Sequence, residues 1–210
     1  LACLDVCSQI GADVMVYHSA QIALRSADQD TMTRLPTDDE LREMWRYETA
    51  QLREMAAHAA DKGITIAVEN RDPHLWELAA LTRHGKGAGD LTTYHAGMRL
   101  DLITRQVEEI NAANVGICLD VGHAFLAAPY WPNTDYLTAI RQAAPLVRHV
   151  HFHDNFGRLD DWARSMAERL VFGEADNHMP PGWGAIPLGG VLEALKTANR
   201  LDLVDYWVYH

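Results

Sequence analysis

The stretch Ile-Thr-Ile-Ala-Val-Glu-Asn at residues 64–70 alternates large apolar side chains with small or polar ones. Because side chains in a β-strand point to opposite faces in turn, the even-numbered positions 64 to 68 share an apolar face and the odd-numbered positions share the other. Strands of a closed parallel barrel have this pattern, with apolar residues toward the surrounding helices and small or polar residues toward the lumen. The stretch therefore predicts a barrel strand that ends on Glu69.

Two further stretches repeat the alternation. In Val-Gly-Ile-Cys-Leu-Asp at 115–120 the polar face ends on Asp120, and in Arg-His-Val-His-Phe-His-Asp at 148–154 it carries three histidines. A shorter apolar run lies at 13–18, and long helical patterns separate the runs, which is the order of repeated βα units. We expect an α/β fold, a TIM-type (β/α)8 barrel whose chemistry lies at the carboxyl ends of its strands.

The helix with the clearest boundaries runs from Asp38 to Lys62. Its apolar residues recur at helical spacing, Thr37 and Glu40 have the spacing of a capping box, and Gly63 ends it. The sequence also predicts helices at 100–113, 135–144 and 189–199, a long loop at 82–97 and a fifth strand at 203–210.

Composition narrows the classes of protein. A chain of 210 residues with 48% hydrophobic residues can bury the core of one domain, so we expect one barrel domain over residues 1–210. The formal net charge of −11 argues against a nucleic-acid partner, because phosphate binding depends on clustered Lys and Arg. Three cysteines without zinc-finger spacing favour a cytoplasmic location. The sequence contains no run of about 18 apolar residues, which a membrane span would require, so we expect no membrane partner.

Carboxylates and histidines gather at the predicted strand ends. Glu69 ends one strand, and Asp120 ends another and is followed three residues later by His123. An unpaired buried carboxylate is costly, so Glu69 is expected to be a metal ligand, a base or half of an ion pair, with Arg71 as the plain partner. Asp120 has a plain alternative as well, because an Asp before a helix can act as its cap.

Two clusters add nitrogen donors. His149, His151 and His153 share one strand face, where each ring nitrogen needs a partner, so we expect one of them to be a metal ligand. Asp176-Asn177-His178 lies in a loop rich in Pro and Gly, where a short polar cluster is usually solvated surface. Together these oxygen and nitrogen donors suit zinc, manganese, cobalt or iron.

The order of the motifs resembles the xylose isomerase-like TIM barrels, which include sugar isomerases and epimerases and the endonuclease IV type of DNA repair enzyme. Each motif is loose by itself, but the four in this order cover most of the chain from His18 onward. The motifs are Ile-Ala-Val-Glu-Asn at 66–70, Cys-Leu-Asp-Val-Gly-His at 118–123, His-Val-His-Phe-His-Asp-Asn at 149–155, and Asp-Asn-His at 176–178 with Gly-Trp-Gly-Ala-Ile at 182–186.

The resemblance implies one divalent metal ion, Mn, Mg, Co or Zn, and more than one in some members. Its ligands would be Glu69, Asp120, His151 and, in the family, a Glu at the end of the last strand. Near the end of the last strand, this sequence offers only His210 in place of that Glu. Further metal or substrate ligands would be His18, His153, Asp176 and His178.

The chain departs from the family pattern in its number of strands. Alignment by motif makes the run at 13–18 the fourth of eight strands, so roughly three expected strands do not precede it. We expect a barrel that is truncated at the N-terminus and at the last strand, and thus an incomplete domain. Unless another chain or segment fills the gap, such a barrel would expose a long sheet edge.

The resemblance implies metal-dependent isomerisation or epimerisation of a small sugar or sugar derivative through an enediolate. Glu69 and His123 would be catalytic, with His123 also bound to a substrate hydroxyl. Arg148 or Arg158 could receive a phosphate. Trp183 and Trp131 could pack on the sugar, although Trp131 could equally be a core or lid residue.

Two alternatives stay open: an endonuclease IV-like metal-dependent phosphodiesterase, and a non-catalytic metal-binding barrel. The charge of the chain speaks against the first, because a DNA groove should be lined by Lys and Arg. The sequence also leaves the oligomeric state open, although many barrels of this kind pair to cover the mouths of their active sites.

Overall fold

A computed structural model describes residues 1–20, 24, 34–160 and 165–205. Its sheet has four parallel strands, in which neighbours in space are also neighbours in the chain. This sequential order, with helices in the connections, is that of a (β/α) barrel wall. The strands are β1 (Val14–His18), β2 (Thr65–Glu69), β3 (Val115–Asp120) and β4 (Val147–His151).

Helices fill the connections between the strands. No helix among the described residues is both long and apolar enough to cross a membrane. The α-helices are α1 (Ala2–Ile10), α2 (Asp38–Ala60), α3 (Leu75–Arg83), α4 (Leu91–Tyr94), α5 (Leu100–Ile110), α6 (Val121–Ala127), α7 (Tyr136–Ala143), α8 (Met166–Phe172) and α9 (Leu188–Thr197). Short 3₁₀ helices occupy Ala88–Asp90, Ala96–Met98, Ala128–Tyr130, Ala144–Leu146 and Leu201–Asp205.

The four helices predicted from sequence are confirmed as α2, α5, α7 and α9, with ends displaced by a few residues. The predicted loop at 82–97 is wrong, because α3 ends inside it and α4 follows. Its apolar residues Leu91 and Tyr94 are buried, and this burial favours helical turns over an exposed loop. The predicted fifth strand at 203–210 is also wrong at its start, since Leu203 lies in a 3₁₀ helix; residues 206–210 lie outside the described part.

The alternation read from the sequence is confirmed in β2 and β3. Ile66, Val68, Ile117 and Leu119 are fully buried and belong to one hydrophobic cluster, which also contains side chains of α2, α5, α7 and α9. The apolar faces of these strands therefore lie against the helices. The opposite faces, which end on the carboxylates, are left to form the lumen.

The register of β4 is less regular. Val147 pairs with Ile117 and His149 pairs with Cys118, so Arg148 forms a bulge between them. Gly116 makes room for that bulge, because a Cβ there would lie 2.3 Å from Cγ of Arg148. From His149 onward the pairing is regular again.

The N-terminus of α2 is held by the predicted capping box. Oγ1 of Thr37 accepts a hydrogen bond from the amide of Glu40 at 3.3 Å, and Oε2 of Glu40 accepts one from the amide of Thr37 at 2.8 Å. Two amides that the helix leaves unpaired are thereby satisfied. Beyond the C-terminus of α2, Gly63 adopts a φ of 69°, a left-handed conformation that favours glycine.

We expect Thr37→Ala to lower the free energy of unfolding by about 0.5–2 kcal/mol, because the side-chain acceptor of the capping box is lost. Thr37→Ser keeps the hydroxyl and should lie close to the wild type. Urea denaturation followed by circular dichroism measures both. Equal losses in the two variants would mean that the hydroxyl does not hold the helix end.

Candidate metal centre

The parallel register brings the carboxylates of β2 and β3 to the same end of the sheet. In the strand pairing His18 lies opposite Glu69, and Asp120 lies opposite His151. Glu69 and Asp120 are 1% and 0% exposed. Two acidic groups are thus buried side by side, at the end of the barrel where this fold places its chemistry.

Glu69 is surrounded by histidines. Its Oε1 lies 2.7 Å from Nδ1 of His151 and 3.9 Å from Nδ1 of His123, and its Oε2 lies 2.5 Å from Nε2 of His18. Arg71, the plain partner considered from sequence, packs its side chain beside Gly97 instead. Within the described part of the chain, the ion pairs of Glu69 are therefore all with imidazoles.

Asp120 caps α6, as the plain alternative from sequence predicts, and its carboxylate also contacts two histidines. As the cap of α6, its Oδ1 accepts a hydrogen bond from the amide of His123 at 2.8 Å. Its carboxylate also lies 3.1 Å from Nε2 of His153, and Oδ2 lies 3.3 Å from Nδ1 of His151. Two hydrogen bonds of 2.9 Å between the side-chain amide of Asn70 and the backbone of Asp120 join the ends of β2 and β3.

The loop cluster Asp176-Asn177-His178 joins this site and is not solvated surface. Oδ2 of Asp176 lies 3.2 Å from Nε2 of His123 and 2.5 Å from Nε2 of His178. The ring of His178 stacks on that of His153, with centroids 4.2 Å apart. The second half of the site is therefore built by the loop together with α6 and the segment after β4.

Asp154 holds this loop in place. Its buried carboxylate accepts hydrogen bonds from the amides of Asn155, Gly182 and Ile186 at 2.9–3.1 Å, and its backbone pairs with Met179. Asp154 was not among the site residues inferred from sequence, although it ends the His-x-x-Asp motif. Its amide contacts identify it as the anchor of the loop that carries Asp176.

Sequence reasoning also missed Asp72. Its Oδ1 lies 3.9 Å from Nε2 of His123, and its side chain is 13% exposed. The available signal was its position three residues after Glu69, just beyond the strand end. Because Asp72 comes from the loop after β2, only the fold shows which way its carboxylate faces.

Charge in the cluster is shared between carboxylates and imidazoles. Burial disfavours the charged form of Asp120, but the charge of His123 and hydrogen bonds from His151 and His153 hold its pKa well below the usual value. Burial likewise opposes the charge on His151, yet hydrogen bonds to Asp120, Cys118 and Glu69 raise its pKa to about 12. For Asp176, hydrogen bonds from His123 and His178 outweigh burial and lower the pKa to about 2.

These donors fit a divalent metal. Ligand atoms of Glu69, Asp120 and His123 lie within 4.8 Å of one another, and Nδ1 of His151 is closer still to both carboxylates. His123, Asp176 and His178 form a further group. Among the described residues, Nδ1 of the buried His153 has no hydrogen-bond partner, and it lies 3.5 Å from Oδ1 of Asp176. A cation would satisfy such donors and offset the crowded negative charge.

Several predicted site residues are not brought to the cluster. Arg148 lies near the amino end of β4, where its guanidinium donates to the carbonyls of Pro145 and Val147. Strand direction thus separates Arg148 from the carboxyl ends, and its phosphate contact stays a prediction. Arg158 donates to the carbonyl of Phe172 from the loop after β4. His210 lies outside the described residues.

The two tryptophans considered for sugar packing have different environments. Trp183 lies in the loop anchored by Asp154 and is 69% exposed, so its ring is available to a ligand. Trp131 is buried, and its indole N–H donates to the carbonyl of Met98 at 2.7 Å. The structure therefore assigns Trp131 to the core.

Fold and site together define a (β/α)-barrel protein with clustered carboxylate and histidine side chains at the carboxyl ends of its strands. A sequence profile of the family described as "Xylose isomerase-like TIM barrel" matches residues 1–202. The chain belongs to this family, as the motifs indicated.

Individual relatives have low sequence identity to this chain. An inosose dehydratase from Bacillus velezensis is 27% identical over 163 residues, which cover 70% of this chain and 51% of that protein. The crystal structure of a D-tagatose 3-epimerase-like protein has a TM-score of 0.58 at 21% identity, covering 94% of this chain and 56% of that one. The structure of the IolI protein with a bound zinc atom also has a TM-score of 0.58, at 18% identity, covering 99% of this chain and 55% of that one. The chain thus spans about half the length of these relatives, and the structures share its fold.

We expect Gly122→Ala to lower the free energy of unfolding by about 1–3 kcal/mol, because overpacking a tight cluster forces side chains apart. A Cβ at this position would lie 2.1 Å from Cε1 of His153 and 2.8 Å from Oδ1 of Asp176. The control is Gly89→Ala, where a Cβ meets nothing within 4 Å, and a change below about 0.5 kcal/mol is expected. Thermal unfolding of both variants tests this packing, and equal stabilities would contradict it.

Proposed function

We propose that Glu69, Asp120 and His151 hold one divalent metal ion, and that this centre serves a sugar isomerase or epimerase. The observation that carries the proposal is the approach of Nδ1 of His151 to both buried carboxylates, at 2.7 Å from Glu69 and 3.3 Å from Asp120. It is further supported by the zinc atom in the IolI structure and by relatives described as a dehydratase of inosose and a D-tagatose 3-epimerase-like protein.

The substrate in this proposal is a small polyhydroxylated carbonyl compound. When bound, a divalent metal polarises the carbonyl oxygen and stabilises the negative charge that develops when a proton leaves the adjacent carbon. Glu69 can serve as the base, because the one ion pair of its Oε2 among the described residues is with His18, whose side chain is 62% exposed. To accept the proton, Oε2 of Glu69 must come within hydrogen-bond reach of the substrate carbon that loses it.

His123 is placed to bind the substrate. Its Nδ1 lies 2.8 Å from the carbonyl oxygen of Asn70, an arrangement in which the ring donates to the backbone. Its Nε2 lies 3.9 Å from Oδ1 of Asp72 and 3.2 Å from Oδ2 of Asp176, and the side chain is 14% exposed. In this role the imidazole orients a substrate hydroxyl, while the exposed Trp183 offers an apolar surface to the sugar.

A second candidate function is favoured by the group of His123, Asp176 and His178. These residues could hold another metal ion beside the first, as a metal-dependent phosphodiesterase requires. The net charge of −11 disfavours a nucleic-acid substrate. Hydrolysis of an activated phosphodiester by the zinc-loaded chain would support this function, whereas metal binding without any turnover would support a non-catalytic barrel.

We also propose that residues 1–210 belong to one barrel domain. Among the described residues, one hydrophobic cluster contains side chains from Leu4 in α1 to Leu195 in α9. A domain is defined by such a common core.

We expect the wild-type chain to bind about one Mn²⁺ per molecule, and Glu69→Gln and His151→Ala to bind at least about tenfold more weakly. Loss of even an outer-shell partner costs about 10–100-fold in metal affinity. The matched control is Glu193→Gln on α9, whose carboxylate side chain is 71% exposed. Elemental analysis after equilibrium dialysis measures the bound metal. Equal metal content in all four proteins would overturn the three-ligand centre.

We expect the metal-loaded chain to exchange the C–H proton next to the carbonyl of a ketohexose or an inosose with deuterium from D₂O. Exchange reports proton abstraction itself, which isomerases, epimerases and dehydratases of such substrates share. Proton NMR of the substrate follows it, with the chelator-treated protein as the blank. Glu69→Gln should lose the exchange and Glu193→Gln should keep it. Exchange that survives in Glu69→Gln would exclude Glu69 as the base.

A further inference from the structure

A second layer of metal-ligating side chains lies one step below the centre formed by Asp120 and His151. Cys118 precedes Asp120 by two residues on β3, and His149 precedes His151 by two residues on β4. The strand pairing places Cys118 directly opposite His149. Because side chains repeat with period two, these residues share the face of Asp120 and His151 but lie deeper along the strands.

The side chains of this layer converge with His151. The thiol of Cys118 and ring nitrogens of His149 and His151 lie within 4.8 Å of one another. The two imidazoles are arranged edge to face, with centroids 5.2 Å apart. Cys118 is fully buried, while His149 is only partly buried, so the cluster is reached from the His149 side.

The chemistry of this donor set differs from that of the carboxylate centre. One sulfur and two imidazole nitrogens suit thiophilic or borderline cations, whereas carboxylate oxygens suit magnesium and manganese. Burial raises the pKa of the Cys118 thiol to about 12, so the residue is a poor nucleophile. Coordination to a metal deprotonates a thiol outright, and the proton passes to the solvent.

We propose that Cys118, His149 and His151 form a second metal site that selects thiophilic cations, and that its occupation withdraws His151 from the Glu69–Asp120 centre. The site itself does not depend on the proposed function. Only the competition for His151 rests on the proposed function. Thiophilic metals would then inhibit the protein from inside the lumen, whereas hard divalent metals would not enter this layer.

Cadmium is the probe, because a cadmium–thiolate bond has its own ultraviolet charge-transfer absorption. The other two cysteines, Cys3 and Cys7, are removed first by serine substitution, since both lie on α1 and are not fully buried. In this background we expect the absorption to saturate at about one Cd²⁺ per chain. Cys118→Ser should abolish it, and His149→Gln should weaken binding at least about tenfold.

Two controls separate this proposal from the proposed function. Glu69→Gln should retain the cadmium–thiolate absorption even if the chain has no sugar chemistry, because Glu69 is not a ligand of the lower site. His149→Gln guards against a Cys118→Ser protein that fails to fold, since the side chain of His149 is not part of the buried core. Absence of the absorption in the Cys3/Cys7 background, or its persistence in Cys118→Ser, would overturn the site.

The competition is measured in the same proteins loaded with Mn²⁺. Free Mn²⁺ gives an electron paramagnetic resonance signal that bound Mn²⁺ lacks. We expect added Cd²⁺ to release Mn²⁺ from the Cys3/Cys7 background but not from the protein that also carries Cys118→Ser. Cadmium–thiolate absorption without release of Mn²⁺ would overturn the competition and leave two independent sites.

Discussion

Two carboxylates buried next to each other, Glu69 and Asp120, are the constraint on which the rest of the site depends. Buried charges must be paired, and breaking such a pair leaves a charge that costs several kcal/mol. Among the described residues, the ion pairs of both carboxylates are with histidines. Unlike Arg, His can lose its proton to the solvent and bind a metal ion through the freed ring nitrogen. The same cluster can therefore be neutralised by protons or by a cation, which is what a metal centre requires.

The parallel sheet organises these donors in layers. Adjacent strands stand in fixed register, so a period of two along each strand stacks the pair Asp120 and His151 above the pair Cys118 and His149. The upper layer presents oxygen and nitrogen atoms, and the lower one presents sulfur and nitrogen. One strand end can thus hold donor sets of different hardness, with His151 common to both.

Membership in the xylose isomerase-like family accounts for the barrel and for the position of the site, but a fold of this kind supports many chemistries. The function therefore has to be inferred from the particular arrangement of side chains. Here it combines a buried strand-end glutamate, a histidine close to it and a loop held by the carboxylate of Asp154. That loop adds Asp176 and His178 to the strand-end carboxylates and histidines, and with His123 they form a further group of side chains able to hold a metal ion.

The sequence by itself determined the strand faces, the capped helix after residue 37, the family and the approach of Glu69, Asp120 and His151. The strand faces and the helix start follow from short periods and local caps, whereas the family and the choice of Glu69, Asp120 and His151 came from the resemblance of the motifs. Only the tertiary structure decided that Asp176 and His178 reach His123, that a bulge leaves Arg148 near the amino end of β4, and that 82–97 forms helical turns on the core. These features depend on contacts between residues far apart in the chain, whose distances are set by strand register and loop closure and by no local pattern.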